Sequence, residues 1–396
     1  MTAVANVGAD ELLGRARELV PMLAAHAERG ERDRRLTDEV VDALRDAGLF
    51  TLTAPRRAGG YEVDVRTFVD VCAEVSRGDG SAGWVMMLMN TGGYLMGFFG
   101  DRAREDVYGS DPDAAVSAQL APSATARPVE GGYIVDGRWA WASGSHWTRW
   151  NLGSIPIVDE QGQLTDLRQV LVPTSELTIS DTWFAAGMAG TASNTFVAEE
   201  VFVPEYRTLS IFGMVRGAGR SEHADEPLYR AAGHLPLVLG NAAPMLGLAR
   251  AAFDRVLETV QRGKPIAASV YQRSIDSPSY QLSIADAAAL IDTADLHVHR
   301  SADQIDAAVR AGGSLDTLAR TRIRSDVATA ALRCREAVGL LLNVAGASAF
   351  ASADPLQRIW RDLEIICRHA LVNVDLSREM YGRALLGIEE QVSPLV

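Results

Sequence analysis

The sequence is poor in cysteine and carries no surplus of positive charge. Cys72, Cys334 and Cys367 are the only cysteines in 396 residues, and no two stand in a CxxC pair. They cannot build a disulfide framework, so reduced thiols in a cytoplasmic compartment are expected. Lys and Arg number 38 against 51 Asp and Glu, a formal net charge of −13. That balance supplies no basic face for nucleic acid. A long hydrophobic run is missing too. The longest apolar stretch, residues 84–99, is broken by Asn90, Thr91, Gly92 and Gly93, too short and too polar to span a bilayer. The N-terminal residues lack the charged-then-apolar order of a signal peptide.

Several chemical signatures are absent as well. The sequence has no GxxxxGK[ST] loop, no GxGxxG between a strand and a helix, and no GxSxG elbow. These absences exclude the commonest nucleotide-binding and α/β-hydrolase readings. The seven histidines are scattered, and the pair His297 and His299 lacks helical i, i+4 spacing, so no metal centre is expected.

What remains is an ordinary globular composition, 47% hydrophobic and 22% charged. The first hundred residues read as helices. Asp10 can cap a helix with Leu12, Leu13, Ala16, Leu19, Val20 and Leu23 at helical spacing. Thr37 can cap a second that Gly48 stops, a third runs over 65–76, and Ser81 is placed to cap a fourth. From about residue 112 the pattern shifts to short β-type runs, with hairpin connections at 130–132 and 159–162. Beyond 225 it returns to long helices over 236–262, 277–311, 314–342 and 354–388. The expected fold is a multi-domain α+β chain. A helical domain spans 1–111, a β-barrel or sandwich 112–210, and a C-terminal four-helix bundle 225–396.

Three segments can carry chemistry. Four of the seven tryptophans lie in RWAWASGSHWTRW, residues 138–150. Regular alternation places Trp139 and Trp141 on one face of a strand. Ser143, Gly144, Ser145 and His146 follow, so hydroxyls and backbone amides stand beside large aromatic rings, a platform suited to a flat heteroaromatic cofactor. In the second segment, Asp362 and His369 are seven residues apart and share one face if the helix is regular. His369 has the titration range of a general base, and a core histidine bonded to a carbonyl is the competing reading. In the third, Gly187, Gly190, Thr191 and Ser193 let backbone approach a ligand closely.

The chain resembles the acyl-CoA dehydrogenase fold superfamily over essentially its whole length. The matching pieces are APRRAGGYEVD at 54–64, SAGW at 81–84, GGYIVDGRWAWASG at 131–144, DTWFAAGMAGTASNTFVAEEVFVP at 181–204, GASA at 346–349 and RIWRDLEIICRHA at 358–370. Within the superfamily it is most similar to the oxygenase components of two-component flavin-dependent monooxygenases. The positions corresponding to the dehydrogenase glutamates hold Ala370 and Leu237, whereas His369 matches the monooxygenase histidine. The resemblance implies reduced FAD or FMN, FAD favoured, delivered by a separate NAD(P)H:flavin reductase, with molecular oxygen as co-substrate. It implies hydroxylation of a small phenol, indole or polycyclic aromatic through a C4a-hydroperoxyflavin, in a cytoplasmic homotetramer without nucleic-acid or membrane partners. His369 and Ser143 are the implied catalytic residues. Trp141, Ser143, Gly144, Gln119, Ser123, Thr191 and Ser193 are the cofactor candidates, and Trp84, Asn90 and His146 the substrate candidates. An acyl-CoA dehydrogenase with a displaced base, or an amino-sugar N-oxygenase, is the alternative.

Overall fold

The computed structural model describes residues 7–217, 223 and 225–396. Residues 1–6, part of the segment inspected for a leader, lie outside the described residues.

Helices α1 (Ala9–Asp33), α2 (Asp38–Asp46), α3 (Val65–Gly78), α4 (Gly80–Met96) and α5 (Asp101–Tyr108) come first. Thr37 and Asp64 cap α2 and α3 through the amides of Val40 and Thr67. Asp79, not Ser81, caps α4: its carboxylate accepts the N–H groups of both Ser81 and Ala82. A carboxylate satisfies two orphan amides and complements the helix dipole, which one hydroxyl cannot do. Helix α4 is buried on nearly every side, which makes it a core helix rather than an amphipathic one.

Eight strands follow: β1 (Val116–Ala118), β2 (Ala124–Val129), β3 (Gly132–Ala142), β4 (Trp150–Val158), β5 (Leu164–Pro173), β6 (Thr178–Ser180), β7 (Asn194–Pro204) and β8 (Thr208–Ser210). They form two four-stranded sheets, ordered β1-β4-β5-β8 and β2-β3-β7-β6. Among the described residues only β1 and β4 pair in parallel. The two expected hairpin connections join β2 to β3 and β4 to β5, with Gly131 and Gly162 at positive φ. The sheets meet at Trp139. Its indole N–H donates to the Ser154 carbonyl at 3.0 Å, and a Cβ on Gly153 would lie 2.2 Å from the ring. Glycine on β4 is what lets the sheets close over the indole.

The chain ends in α6 (Ile211–Val215), α7 (Pro227–Ala231), α8 (Leu235–Leu239), α9 (Ala242–Gln261), α10 (Pro278–Arg310), α11 (Thr317–Ala345), α12 (Pro355–Ile366) and α13 (Val374–Leu385). Two expected helices are divided. The stretch 236–262 breaks at Gly240–Asn241, where Gly240 sits tight against the Phe68 ring. The stretch 354–388 breaks over 367–373, and Asn373 restarts it by capping Leu376. Helix α11 packs against α9, α10, α12 and α13. One continuous apolar core runs from Leu12 to Val372, so the first helix shares it with α12 and the turn that follows. The β-region has its own core around Val135, Trp139, Ile155 and Phe196. The apolar stretch Leu235–Gln261 is long enough to cross a membrane, but 89% of it is buried inside the fold as α8 and α9. All three cysteines are buried and unpaired.

A buried ion pair fastens the end of α4. Arg104 donates to the carbonyls of Met96, Gly97 and Phe99 and, at 2.9 Å, to Glu226, which also receives Arg57. Removing one partner of such a pair strands the other charge in the interior. Arg104→Met is expected to cost about 3–5 kcal/mol in urea denaturation, against under about 0.5 kcal/mol for the exposed Arg32→Met.

Candidate functional site

The site forms where α4, the end of β3, the loop 186–193 and the turn after α12 converge. Strand β3 does not keep regular alternation. A register shift falls between Trp139 and Ala142, and Trp141 adopts φ +63°. Trp139 is therefore fully buried and Trp141 is 66% exposed, which corrects the expectation that both share one face. The bulge turns Trp141 outward, edge-on to Trp183 at 5.1 Å between ring centroids, and aims Ser143 and Gly144 at α4. Gly144 has φ +76°, and a Cβ there would lie 2.9 Å from Met89. Its amide donates to the Thr191 carbonyl at 2.8 Å.

Loop 186–193 is clamped to α12. The Asp362 carboxylate accepts the amide of Met188, and the Arg361 guanidinium donates to the carbonyl of Ala186. Gly187 lies against the Arg361 carbonyl, where a Cβ would stand 2.5 Å away. Met188 and Ala192 both take positive φ. Burial pushes the Asp362 carboxyl up to about 7, with Asp79 reinforcing the shift.

A line of hydroxyls runs from this loop to α4. Thr191 donates to the Met188 carbonyl at 2.7 Å. Ser193 lies 2.6 Å from Thr191 and 2.7 Å from Ser143. The indole N–H of Trp84 donates to Ser143 at 3.1 Å. Beyond Trp84 stands His369, edge-on with centroids 5.4 Å apart. Trp84 thus separates the hydroxyl line from the imidazole.

His369 is not on the helical face it was expected to share with Asp362. Helix α12 ends at Ile366, and the ring projects from the following turn. Its Nδ1 accepts the Leu371 amide at 3.3 Å, so the neutral ring carries its proton on Nε2. Burial lowers its pKa to about 4, which keeps it neutral at physiological pH.

The other candidates divide. Asn90 is fully buried and spent: it donates to the carbonyls of Leu49 and Met86 and accepts the Thr53 amide. It ties α4 to the 49–53 segment with both amide protons engaged and the side chain fully enclosed, which corrects its assignment. His146 lies on the exposed side of its turn, 3.3 Å from the Asn194 amide and in the field of Arg35, Asp181 and Arg34. Among the described residues no contact joins it to Trp84 or His369, so the structure does not bring it together with them. Ser123 is exposed and gives its proton to the Arg138 carbonyl. Gln119 is buried with both amide atoms unpartnered among the described residues, a group that lacks a polar partner. What sequence reasoning missed was the role of Asp362 and Arg361 as a clamp on a loop 175 positions away in sequence. A separate cleft of about 620 Å³ lies beyond α12, lined by Arg17, Glu74, Asp79, Arg255, Arg358 and Asp362. It contains none of Ser143, Trp84 and His369.

Residues 10–108 and 239–374 match the family models described as the N-terminal and C-terminal domains of acyl-CoA dehydrogenase. The flavin-dependent monooxygenase oxygenase subunit HsaA of Mycobacterium tuberculosis is 32% identical over 390 residues, covering 98% of each chain. The FADH(2)-dependent resorcinol hydroxylase oxygenase component of a Rhizobium species is 32% identical over 395 residues, covering 96% of this chain and 94% of that one. The structure of XiaF from a Streptomyces species, in complex with FADH2 and glycerol, superimposes with a TM-score of 0.89 at 34% identity, over 98% and 97% of the two chains. The chain belongs to the acyl-CoA dehydrogenase family and, within it, to the oxygenase components of flavin-dependent monooxygenases.

The residues present fit a flavin. Three hydroxyls converge beside large aromatic rings, and the buried Gln119 amide has no polar partner among the described residues.

The His369 ring makes a pH prediction. Its folded-state pKa lies below the unfolded value of about 6.5. As pH falls from 6.5 towards 4, the unfolded chain gains a proton there that the folded chain does not, so stability is lost. His369→Gln removes this part of the loss. Between pH 7 and pH 4.5 the melting temperature of the variant should fall less than that of the wild type, by about 2 °C or more in scanning calorimetry.

Proposed function

We infer that this protein is a reduced-flavin-dependent monooxygenase that hydroxylates a small aromatic substrate. The observation that carries the reading is the arrangement around Trp84: an indole flanked by the Ser143 hydroxyl on one side and a neutral imidazole on the other. The hydroxyl side serves the cofactor and the imidazole side the substrate. The resemblance to an FADH(2)-dependent hydroxylase and to a structure in complex with FADH2 favours FAD over FMN. A separate NAD(P)H:flavin reductase supplies it.

Bound reduced flavin supplies the activation of molecular oxygen. Ser143 meets its polar edge, with Ser193 and Thr191 lined up behind it, and Trp141 offers an aromatic face at the mouth. Trp84, Val85 and Met89 wall the site from water, the condition under which a reactive oxygen species is kept from hydrolytic loss. His369 holds a proton on Nε2 and donates a hydrogen bond to the substrate oxygen. A phenol that enters as its phenolate, having left its proton to solvent, is stabilised by that donor, and the charge raises electron density on the ring carbon to be oxidised. The tautomer suits a phenolic oxygen better than an indole N–H, which needs an acceptor. His369 therefore acts as a hydrogen-bond donor, not as the general base its residue type suggested. Positions 237 and 370, a buried leucine and an exposed alanine, offer no carboxylate for removing an acyl α-proton.

A homotetramer in the cytoplasm completes the proposal. Leu282 and Leu296 on α10, with Leu385 and Leu386 at the end of α13, are 60–79% exposed, and contacts between subunits would cover them.

The test supplies chemically reduced FAD, then oxygen and a panel of phenols and indoles, and measures product and hydrogen peroxide together. Wild-type protein is expected to hydroxylate a phenol with little peroxide. His369→Ala should lower the product rate by about 10²–10³-fold, the cost of removing one preorganised donor, with peroxide rising in its place. Equal product yield from His369→Ala would overturn the assignment.

A further inference from the structure

The hydroxyl line has a direction, and its direction is fixed at both ends. An indole N–H can only donate, so Ser143 accepts from Trp84. A carbonyl can only accept, so Thr191 gives its proton to Met188. Thr191 has one proton, so the 2.6 Å contact with Ser193 is made by the Ser193 proton. The 2.7 Å contact between Ser193 and Ser143 is then made by the Ser143 proton. The Met188 carbonyl cannot readily turn away. It also receives the Trp183 indole N–H at 3.0 Å, and the Met188 amide is held by Asp362. Ser143 is left with one lone pair and no proton to offer.

An isoalloxazine ring changes its hydrogen-bonding character in one place relevant here. Oxidised N5 is a lone-pair acceptor, whereas reduced N5 carries a proton and donates. The other polar edge groups, the two carbonyls and N3–H, keep their roles in both states. With the free lone pair of Ser143 taken to meet N5, a hydroxyl confined to accepting matches the reduced edge and opposes the oxidised one.

We propose that Thr191 and Ser193 are specificity-determining residues: by consuming the Ser143 proton they make the site select reduced over oxidised flavin. The proposal rests on the reading of this site as the flavin site. It assigns Thr191 and Ser193 a role in redox selection through Ser143 rather than a general contribution to cofactor affinity. It also gives Trp84 a different part: Trp84 occupies a lone pair of Ser143 and leaves the destination of its proton unchanged.

The experiment measures dissociation constants for oxidised and for dithionite-reduced FAD, the latter anaerobically, on the full chain. The midpoint potential of bound flavin is a second readout. Wild-type protein is expected to bind the reduced form at least tenfold more tightly. In Thr191→Val the terminal link is cut at almost constant volume, Ser193 is free to reverse, and Ser143 regains a donor role. In Ser193→Ala the Ser143 proton is released directly. Both variants should lose about tenfold in the reduced-to-oxidised affinity ratio, mainly by tightening on the oxidised form. The bound midpoint potential should drop by about 30 mV, the equivalent of tenfold for two electrons. Trp84→Phe keeps the Ser143 proton engaged and should keep the wild-type ratio.

A ratio within twofold of wild type in both hydroxyl variants overturns the proposal. So does a Trp84→Phe ratio that collapses as far as theirs, which would show packing rather than proton direction to be responsible. Wild-type protein that binds neither redox form overturns the flavin reading itself, which is a distinguishable result. Circular dichroism and melting temperature identify a variant that has misfolded, and Ser193→Gly then replaces Ser193→Ala with the same expected ratio.

Discussion

The site depends on one buried contact, the carboxylate of Asp362 against the amide of Met188. It joins the helical bundle to a loop that leaves the β-region, and it anchors from outside a loop whose own bonds run from Trp183 and Thr191 to the Met188 carbonyl. Met188 and Ala192 both sit at positive φ, a conformation that disfavours side-chain-bearing residues and persists only where the surroundings over-determine it. A hydrogen bond to a charged acceptor is worth about 1.5–3 kcal/mol, which offsets part of that strain. The carboxyl itself is costly to bury, which its upward-shifted titration records. Arg361, one residue earlier on the same helix, secures the other end of the loop at Ala186.

The geometry divides the work between the two kinds of structure. The β-region supplies small groups at fixed positions: Ser143 and Gly144 beyond a bulge, and Thr191 and Ser193 on the clamped loop. The helices supply the large rings, Trp84 from α4 and His369 from the turn after α12. Because Asp362 and His369 belong to one short stretch of chain, the helix that fixes the loop also fixes the imidazole. The two sides of the site are therefore set by a common support rather than by independent packing.

Much of this was legible in the residues. The order of helices, strands and helices follows from the change in apolar spacing near positions 112 and 225. The glycine turns at 131 and 162 are local signals that the structure repeats. What was not legible is where regular periodicity stops. No glycine or proline marks the break over 367–373, because the turn is closed by an Asn373 cap and by the His369 ring accepting Leu371. No local signal marks the positive φ of Trp141, which sends two alternate tryptophans to opposite environments. Asn90 misled for a related reason. A polar residue in an apolar helix suggests a ligand, yet its partners are the carbonyl one turn back at 86 and a carbonyl at 49 and an amide at 53 that only the tertiary fold brings near.

The three buried cysteines acquire a meaning from this chemistry. Cys367 stands two residues before His369, close to where oxygen is handled, and burial pushes its thiol well above the usual range, as it does for Cys72 and Cys334. Peroxide attacks thiolates, and a thiol that is neutral and walled off resists the first step towards sulfenic acid. A catalyst that leaks some of its oxidant on each failed turnover would otherwise be consumed from within. The same packing that builds the core therefore also lengthens the working life of the protein.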